Sequence, residues 1–238
     1  MSNSWFQFKQ FLVKQDRSAM KVCTDSCVFG ATIPIKNNTT SILDIGTGTG
    51  LLSLMLAQRS NAAIDAVEMN TEAAQQATDN FFNSPWNERL HIYETSIQDY
   101  FKVTTKQYDL IVCNPPFFSA SLKSGNDSKD MAWHQSHLSV EELMQVTFFM
   151  LKPDGDAYML ISIYEEGNFI KAADHVGLKA MRYQAIYDNS AKLIRYVLHL
   201  RKDMKHKDKG EIKFIIRNSE NQYTEQFVEA LGDFYLDR

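Results

Sequence analysis

Ser41-Ile42-Leu43-Asp44-Ile45-Gly46-Thr47-Gly48-Thr49-Gly50-Leu51-Leu52-Ser53-Leu54-Met55-Leu56-Ala57 is the stretch that decides the fold. Ser41 to Ile45 is a short apolar run suited to a buried strand, and Leu51 to Ala57 continues as a mostly apolar helix. The glycines between them allow backbone turns that side chains would obstruct, and they let a ligand approach the main chain closely. A β-loop-α unit of this kind places its loop at the carboxyl end of a strand, where open α/β sheets bind ligands.

Outward from that unit, strand and helix patterns alternate. Ala63 to Glu68 reads as the next strand, Thr71 caps a helix through about Phe82, and Ser84-Pro85-Trp86 ends it. Leu90 to Glu94 and Tyr108 to Cys113 are further strands. After the polar stretch Ser119 to Lys129, Leu138 to Leu151 is helical. Lys152-Pro153-Asp154-Gly155 then turns into a strand over Ala157 to Ile163, followed by a helix over about Glu165 to Val176. Ala180 to Tyr187 and Leu193 to Leu200, joined by Asp188-Asn189-Ser190, pattern as a terminal hairpin. The alternation predicts an α/β fold: a seven-stranded, mainly parallel sheet, helices on both faces, and an antiparallel addition at its end. There is no internal repeat and no Gly/Ser linker, so residues 1–238 read as one domain, with 1–40 an amino-terminal lid or extension and 41–238 the core.

Composition bounds the function. At 238 residues and 44% hydrophobic the chain can bury a full core. No stretch approaches the roughly 18 to 20 apolar residues of a membrane span, and Met1 to Asp16 lacks the apolar core of a signal peptide, which predicts a cytoplasmic protein without membrane partners. Cys23, Cys27 and Cys113 cannot all pair, and Cys23/Cys27 has no second pair for zinc, so reduced thiols and no metal are expected. His134 and His137 read as residues ordering the segment after Cys113, and Phe6, Phe8 and Phe11 as core. With a net charge of −4, any nucleic-acid contact requires a local basic patch. Arg201 to Lys209, with five Lys/Arg against two Asp, is either such a patch or a solvated turn; Lys9, Lys14, Arg17 and Lys21 are scattered among aromatics.

Two constellations carry chemistry. Asn114-Pro115-Pro116-Phe117 follows the run Tyr108 to Cys113, hence lies at a carboxyl end of the sheet. Its prolines remove two N–H donors and hold the chain extended, leaving carbonyl oxygens outward. The Asn114 side-chain oxygen and the Pro115 carbonyl can accept from one NH2 group, and Phe117 offers a flat face, which suits a conjugated planar amine. The second constellation is Asp44, Gly46, Thr47, Gly48 and Gly50 with Glu68, a carboxylate at about the spacing that takes both hydroxyls of a ribose. The pair fits adenosine, and Leu51 stands where a nicotinamide dinucleotide loop asks for Gly.

G-x-G-x-G preceded by an acid resembles the S-adenosylmethionine loop. The order Asp44 to Gly50, Glu68, Asn114 to Phe117 resembles the methyltransferases that modify adenine N6, guanine N2 or a glutamine amide with that cofactor. Phe6-Gln7-Phe8-Lys9-Gln10-Phe11, Asp16-Arg17-Ser18-Ala19-Met20-Lys21-Val22, Thr24-Asp25, Gly30, Trp86 after Ser84-Pro85, and the closing Asp233-Phe234-Tyr235-Leu236 narrow the likeness, nearly end to end, to the bacterial tRNA(Val) adenine-37 N6-methyltransferase family. The resemblance implies a Rossmann-like class I methyltransferase fold and tRNA as partner; the sequence leaves the oligomeric state open, a monomer being plausible. It also implies S-adenosyl-L-methionine as cofactor, held by Asp44, Gly46, Thr47, Gly48, Gly50, Glu68, Met69, Ser96 and Ile97, and catalysis by Asn114, Pro115, Pro116 and Phe117. One departure is visible: many relatives carry Asp after the third strand to accept the adenine amine, where this chain has Ser96 and then Ile97, with Asp99 close by. A hydroxyl still accepts and the Ile97 N–H still donates, but the neutral contact is weaker. Two other readings stay open: methylation of another planar amine in ribosomal RNA, DNA or a glutamine amide, and a catalytically silent RNA-binding scaffold, against which the intact Asn114 to Phe117 argues.

Overall fold

A computed structural model describes residues 3–18, 20–115, 138–203 and 210–236. The chain opens with a small hairpin, β1 (Trp5–Gln7) and β2 (Leu12–Lys14), and a helix, α1 (Thr24–Thr32), before it enters the main sheet. There β3 (Ser41–Ile45), α2 (Leu51–Arg59), β4 (Ala63–Glu68), α3 (Thr71–Phe82), β5 (Leu90–Glu94), α4 (Ile97–Val103) and β6 (Tyr108–Cys113) alternate as the periodicity predicts. Then follow α5 (Val140–Met150), β7 (Leu151–Ser162), α6 (Glu166–His175), β8 (Lys179–Tyr187), β9 (Leu193–Arg201), β10 (Ile212–Ile215) and α7 (Glu225–Leu231).

The sheet order is β10-β8-β9-β7-β6-β3-β4-β5, with β3 through β7 mutually parallel and β9 antiparallel to both neighbours. The seven strands read from sequence are all present, but the sheet has eight: Ile212–Ile215 adds parallel to β8, so the β8/β9 hairpin is not the edge. That strand is only four residues long, too short for its polar–apolar alternation to announce it. Two further readings are corrected. The cap of α3 is Asn70, whose side chain accepts from the Ala73 N–H, not Thr71. Lys152 to Gly155 lies inside β7, because Tyr108 pairs with Leu151 and Leu110 with Asp156, which leaves those residues as a bulge between two paired segments.

Each central strand is buried on both sides, as a parallel sheet with two helical layers requires. Ile42, Leu110 and Val112 face one core with Leu54 and Met55 of α2, Phe81 of α3, Phe29 of α1 and Phe227 of α7. Leu43, Ile45 and Ile111 face the other core with Tyr100 of α4, Leu143 and Met144 of α5 and Phe169 of α6. The amino-terminal hairpin belongs to the first core. Phe8 and Phe11 are buried and stacked at 4.5 Å, Phe11 meets Trp86 edge-on at 5.7 Å, and the Lys9 N–H donates to the Phe234 carbonyl. Truncating the buried Phe8 to Ala is expected to cost about 3–5 kcal/mol of stability.

Strand order reverses between β3 and β6, since successive strands run outward to β4 and β5 on one side and to β7 on the other. At such a switch point the loops leaving the two strands diverge and open a crevice. Ile45 pairs with Cys113, so Gly46 and Asn114 are the first residues past the paired register on either side of that crevice.

Candidate active site

The glycine loop is held by backbone. The N–H groups of Gly46 and Thr47 donate to the Val67 carbonyl, and that of Gly50 to the Thr47 carbonyl. Gly46 and Gly48 have φ of +69° and +57°, which L side chains adopt at a cost, and nothing lies within 4 Å of where a Gly46 Cβ would project. At Gly50 the space is filled instead: a Cβ would strike Phe81 Cε1. Thus Gly50 serves packing on α3, whereas Gly46 leaves main chain open to a ligand.

Asp44 is fully buried. Its Oδ2 accepts from Thr47 Oγ1 at 2.6 Å and Ser53 Oγ at 2.7 Å, while its Oδ1 has no partner. Burial pushes the carboxyl up to about 6, against the opposing hydroxyls of Thr47 and Ser53. Leaving such an oxygen dry and unpaired is unfavourable unless a ligand completes it. Glu68 ends β4 beside the loop: Oε2 accepts from the Gly48 N–H and Oε1 from the Asn70 N–H, both at 2.9 Å. Each oxygen keeps a lone pair, so the carboxylate is fixed in place and still accepts two hydroxyls. Met69 beside it is 57% exposed, an apolar flank for a planar ring.

Ser96 follows β5 and caps α4. Its Oγ accepts from the Asp99 N–H at 3.0 Å and donates to Asp99 Oδ2 at 2.8 Å, so a single lone pair is left to take an amine. Asp99 is itself tied to Lys102, with its carboxyl below the usual range because of that lysine and Ser96. Ile97 N–H is the first of α4 and has no intrahelical carbonyl to bond. Across the sheet the residues therefore rank Ser96 on β5, Glu68 on β4, the loop on β3 and Asn114 on β6. This order suits adenine, ribose and the reactive end of one elongated ligand, and the open Gly46, the unpartnered Asp44 Oδ1 and the fixed Glu68 fit S-adenosylmethionine.

Asn114 is half-buried. Its Nδ2 donates to Ser26 Oγ at 2.9 Å and lies 3.6 Å from Met20 Sδ; among the described residues no donor reaches its Oδ1. A cleft of about 200 Å³ beside it is lined by Met20, Cys23, Asn114, Pro115, Ser162 and Arg195, among others. Pro116, Phe117, His134 and His137 lie outside the described residues, as do residues 204–209 of the basic run. Among the described residues no group of three or more His, Cys, Asp or Glu can hold a metal.

The sequence marks residues 1–40 as a lid or extension but does not show what ties that segment to the sheet beside this crevice. Asn80 and Gln76, one turn apart on α3 and both buried, act as side-chain partners for the amino-terminal backbone. Asn80 bridges the Lys14 N–H, the Lys14 carbonyl and the Thr49 carbonyl, while Gln76 accepts from the Arg17 N–H and donates to Asp16. Ser18 Oγ then lies 3.8 Å from the Gly48 Cβ position, and Met20 lies at Asn114. Buried amides on the apolar face of an otherwise amphipathic helix were the available signal.

The match to known proteins decides the family. The Methyltransferase small domain model matches residues 18–161. A tRNA1(Val) (adenine(37)-N6)-methyltransferase of Cytophaga hutchinsonii is 73% identical over all of both chains, and one of Dyadobacter fermentans is 40% identical over 98% of each. The chain belongs to that methyltransferase family. In fold it is similar to a predicted O-methyltransferase of Agrobacterium tumefaciens (TM-score 0.67, 15% identity, 89% of this chain and 98% of that one). It is likewise similar to a ribosomal protein L11 methylase of Lactobacillus delbrueckii (TM-score 0.55, 16% identity, 82% and 84%). As a member of this family the chain is an S-adenosylmethionine-dependent enzyme.

Proposed function

We propose that the chain methylates the exocyclic N6 amine of adenine in tRNA, at adenine 37 beside the anticodon of tRNA1(Val). The observation that carries this reading is the acceptor pair at the switch point. Asn114 has its Nδ2 engaged by Ser26, so its Oδ1 is left, with the Pro115 carbonyl, to receive a planar NH2 group next to the glycine loop. The full-length relatives, tRNA1(Val) (adenine(37)-N6)-methyltransferases, supply the tRNA position.

The N6 lone pair of adenine is delocalised into the ring and is a weak nucleophile. Asn114 Oδ1 and the Pro115 carbonyl accept its two hydrogens, raise density on nitrogen and fix its direction of approach. Phe117 stacks on the base, which must leave its neighbours in the loop to enter. S-adenosylmethionine supplies an electrophilic methyl group, held by Asp44, the glycine loop, Glu68, Met69, Ser96 and Ile97. With Asn114 and Pro115 directing the nitrogen toward that methyl group, the amine would be methylated and its surplus proton would leave to water, so no side-chain base is required.

Nucleoside mass spectrometry tests this. Incubating the protein and S-adenosylmethionine with tRNA from cells lacking the activity is expected to yield N6-methyladenosine mapped to position 37 of tRNA1(Val). Methyl transfer to guanine or to a glutamine amide only would overturn the assignment.

A further inference from the structure

The catalytic amide has two ends of opposite hydrogen-bonding sense, and only one is useful. The target amine is a donor, so it requires Asn114 Oδ1; a half-turn of the amide would present Nδ2, donor against donor. Nothing on β6 itself chooses between the two ends. The choice comes from the amino-terminal extension. Ser26, buried in the first turn of α1, takes one Nδ2 hydrogen at 2.9 Å, and Met20 Sδ faces the other at 3.6 Å. A serine alone would not discriminate, because a hydroxyl both accepts and donates. The thioether only accepts, so a reversed amide would set Oδ1 against sulfur lone pairs. Cys23 Sγ lies 2.9 Å from Ser26 Oγ and gives the hydroxyl a second partner.

This helix is anchored well enough to impose an orientation. Asp25, adjacent to Ser26, accepts from Arg195 Nε on β9 at 2.9 Å and from the Ser26 N–H at 3.0 Å. At the other end of α1, Arg59 of α2 donates to the Gly30 and Ile33 carbonyls at 2.8 Å each. The hydroxyl is therefore fixed at both ends of its helix by residues from distant parts of the sheet layer.

We propose that Ser26 and Met20 are positioning residues that hold the Asn114 amide with Oδ1 toward the target amine, so that the amino-terminal extension completes the catalytic site. The inference rests on the reading of Asn114 given above. Its test is the single-turnover rate of methyl transfer with saturating tRNA and S-adenosylmethionine, measured beside cofactor affinity and thermal unfolding. Ser26→Ala is expected to lower the rate about tenfold, with cofactor affinity unchanged within about twofold, and Ser26→Thr, which keeps the hydroxyl, to recover most of it. Met20→Leu, at a 42% exposed position where folding is not at stake, is expected to lower the rate about threefold. A Ser26→Ala rate equal to wild type, or a loss that follows thermal stability and is not recovered by Ser26→Thr while Met20→Leu is fully active, would overturn the proposal. Asn114→Ala separates the two levels. If that variant is inactive while Ser26→Ala and Met20→Leu turn over normally, only the positioning role falls; if it is fully active, the reading of Asn114 falls and takes the positioning role with it.

Discussion

Asp44 and Asp65 are both buried, on neighbouring strands, one row apart in register and on opposite faces of the sheet. Asp65 is saturated: Oδ2 accepts from Tyr108 Oη at 2.6 Å, Tyr100 Oη at 3.2 Å and Lys106 Nζ at 2.7 Å, and Tyr93 Oη lies 3.5 Å from Oδ1. Asp44 has two hydroxyls on one oxygen and nothing on the other. The same side chain is a structural tie on one face and an open valence at the ligand crevice on the other. Asn114 Oδ1 belongs with Asp44, as an acceptor that the described protein leaves unmet.

The contrast breaks most visibly at Asn114. Asn114→Ala is expected to lower methyl transfer about 10²- to 10³-fold, the scale for a preorganised hydrogen-bonding group, with cofactor affinity within about tenfold of wild type. Single-turnover kinetics beside calorimetry checks both halves, and near-normal turnover removes Asn114 from the mechanism.

Exchanging the two aspartates sharpens it. Asp65→Ala strands two buried tyrosine hydroxyls, so it is expected to lower stability by about 2–4 kcal/mol and leave cofactor affinity alone. Asp44→Asn is expected to do the reverse: at least a tenfold weaker S-adenosylmethionine complex, with the melting temperature unchanged or raised. The sign follows from the raised carboxyl: its contribution to stability is complete below about pH 4 and is lost as pH rises through about 6, so a neutral isostere costs nothing at pH 7. Denaturant unfolding of both variants that shows equal losses would erase the distinction.

The same carboxyl gives a smaller, pH-resolved effect. If Asp44 Oδ1 meets the cationic cofactor, binding favours the ionised form, and affinity should fall as pH drops through about 6. Between pH 7 and 5 the expected loss is up to about tenfold. Calorimetry in Asp44→Asn should show that slope flattened; an unchanged slope assigns it elsewhere.

The least effect is expected from the basic run. Asn114 follows Cys113, the partner of Met159, so it stands level with Leu160 and Val197; β9 runs from there away from the crevice and ends at Arg201, four residues or about 13 Å further along the strand. The expectation is that its lysines meet the body of tRNA beyond the target loop. Changing Lys205, Lys207 and Lys209 to Glu should weaken binding of intact tRNA several-fold and flatten its salt dependence, with little change for an anticodon stem-loop. Equal behaviour of the two substrates would make the run a solvated turn.

Periodicity alone located all seven main strands and the helices between most of them, because buried parallel strands and amphipathic helices write their pattern locally. The glycine loop, Glu68 and Asn114 were equally legible, since each needs a particular residue type at a strand end. Tertiary structure alone decided the rest. The short β10, the ties that Asn80 and Gln76 make to the amino-terminal backbone, and the contact between Ser26 and Asn114 all join residues far apart in the chain, with no repeating pattern to mark them. Nor does a sequence show which oxygen of a buried aspartate is met. Asp44 and Asp65 are the same residue in similar strands, and only the packing of Tyr100, Tyr108 and Lys106 against one of them, and of an open glycine loop beside the other, leaves the first with an unmet oxygen and makes the second a brace.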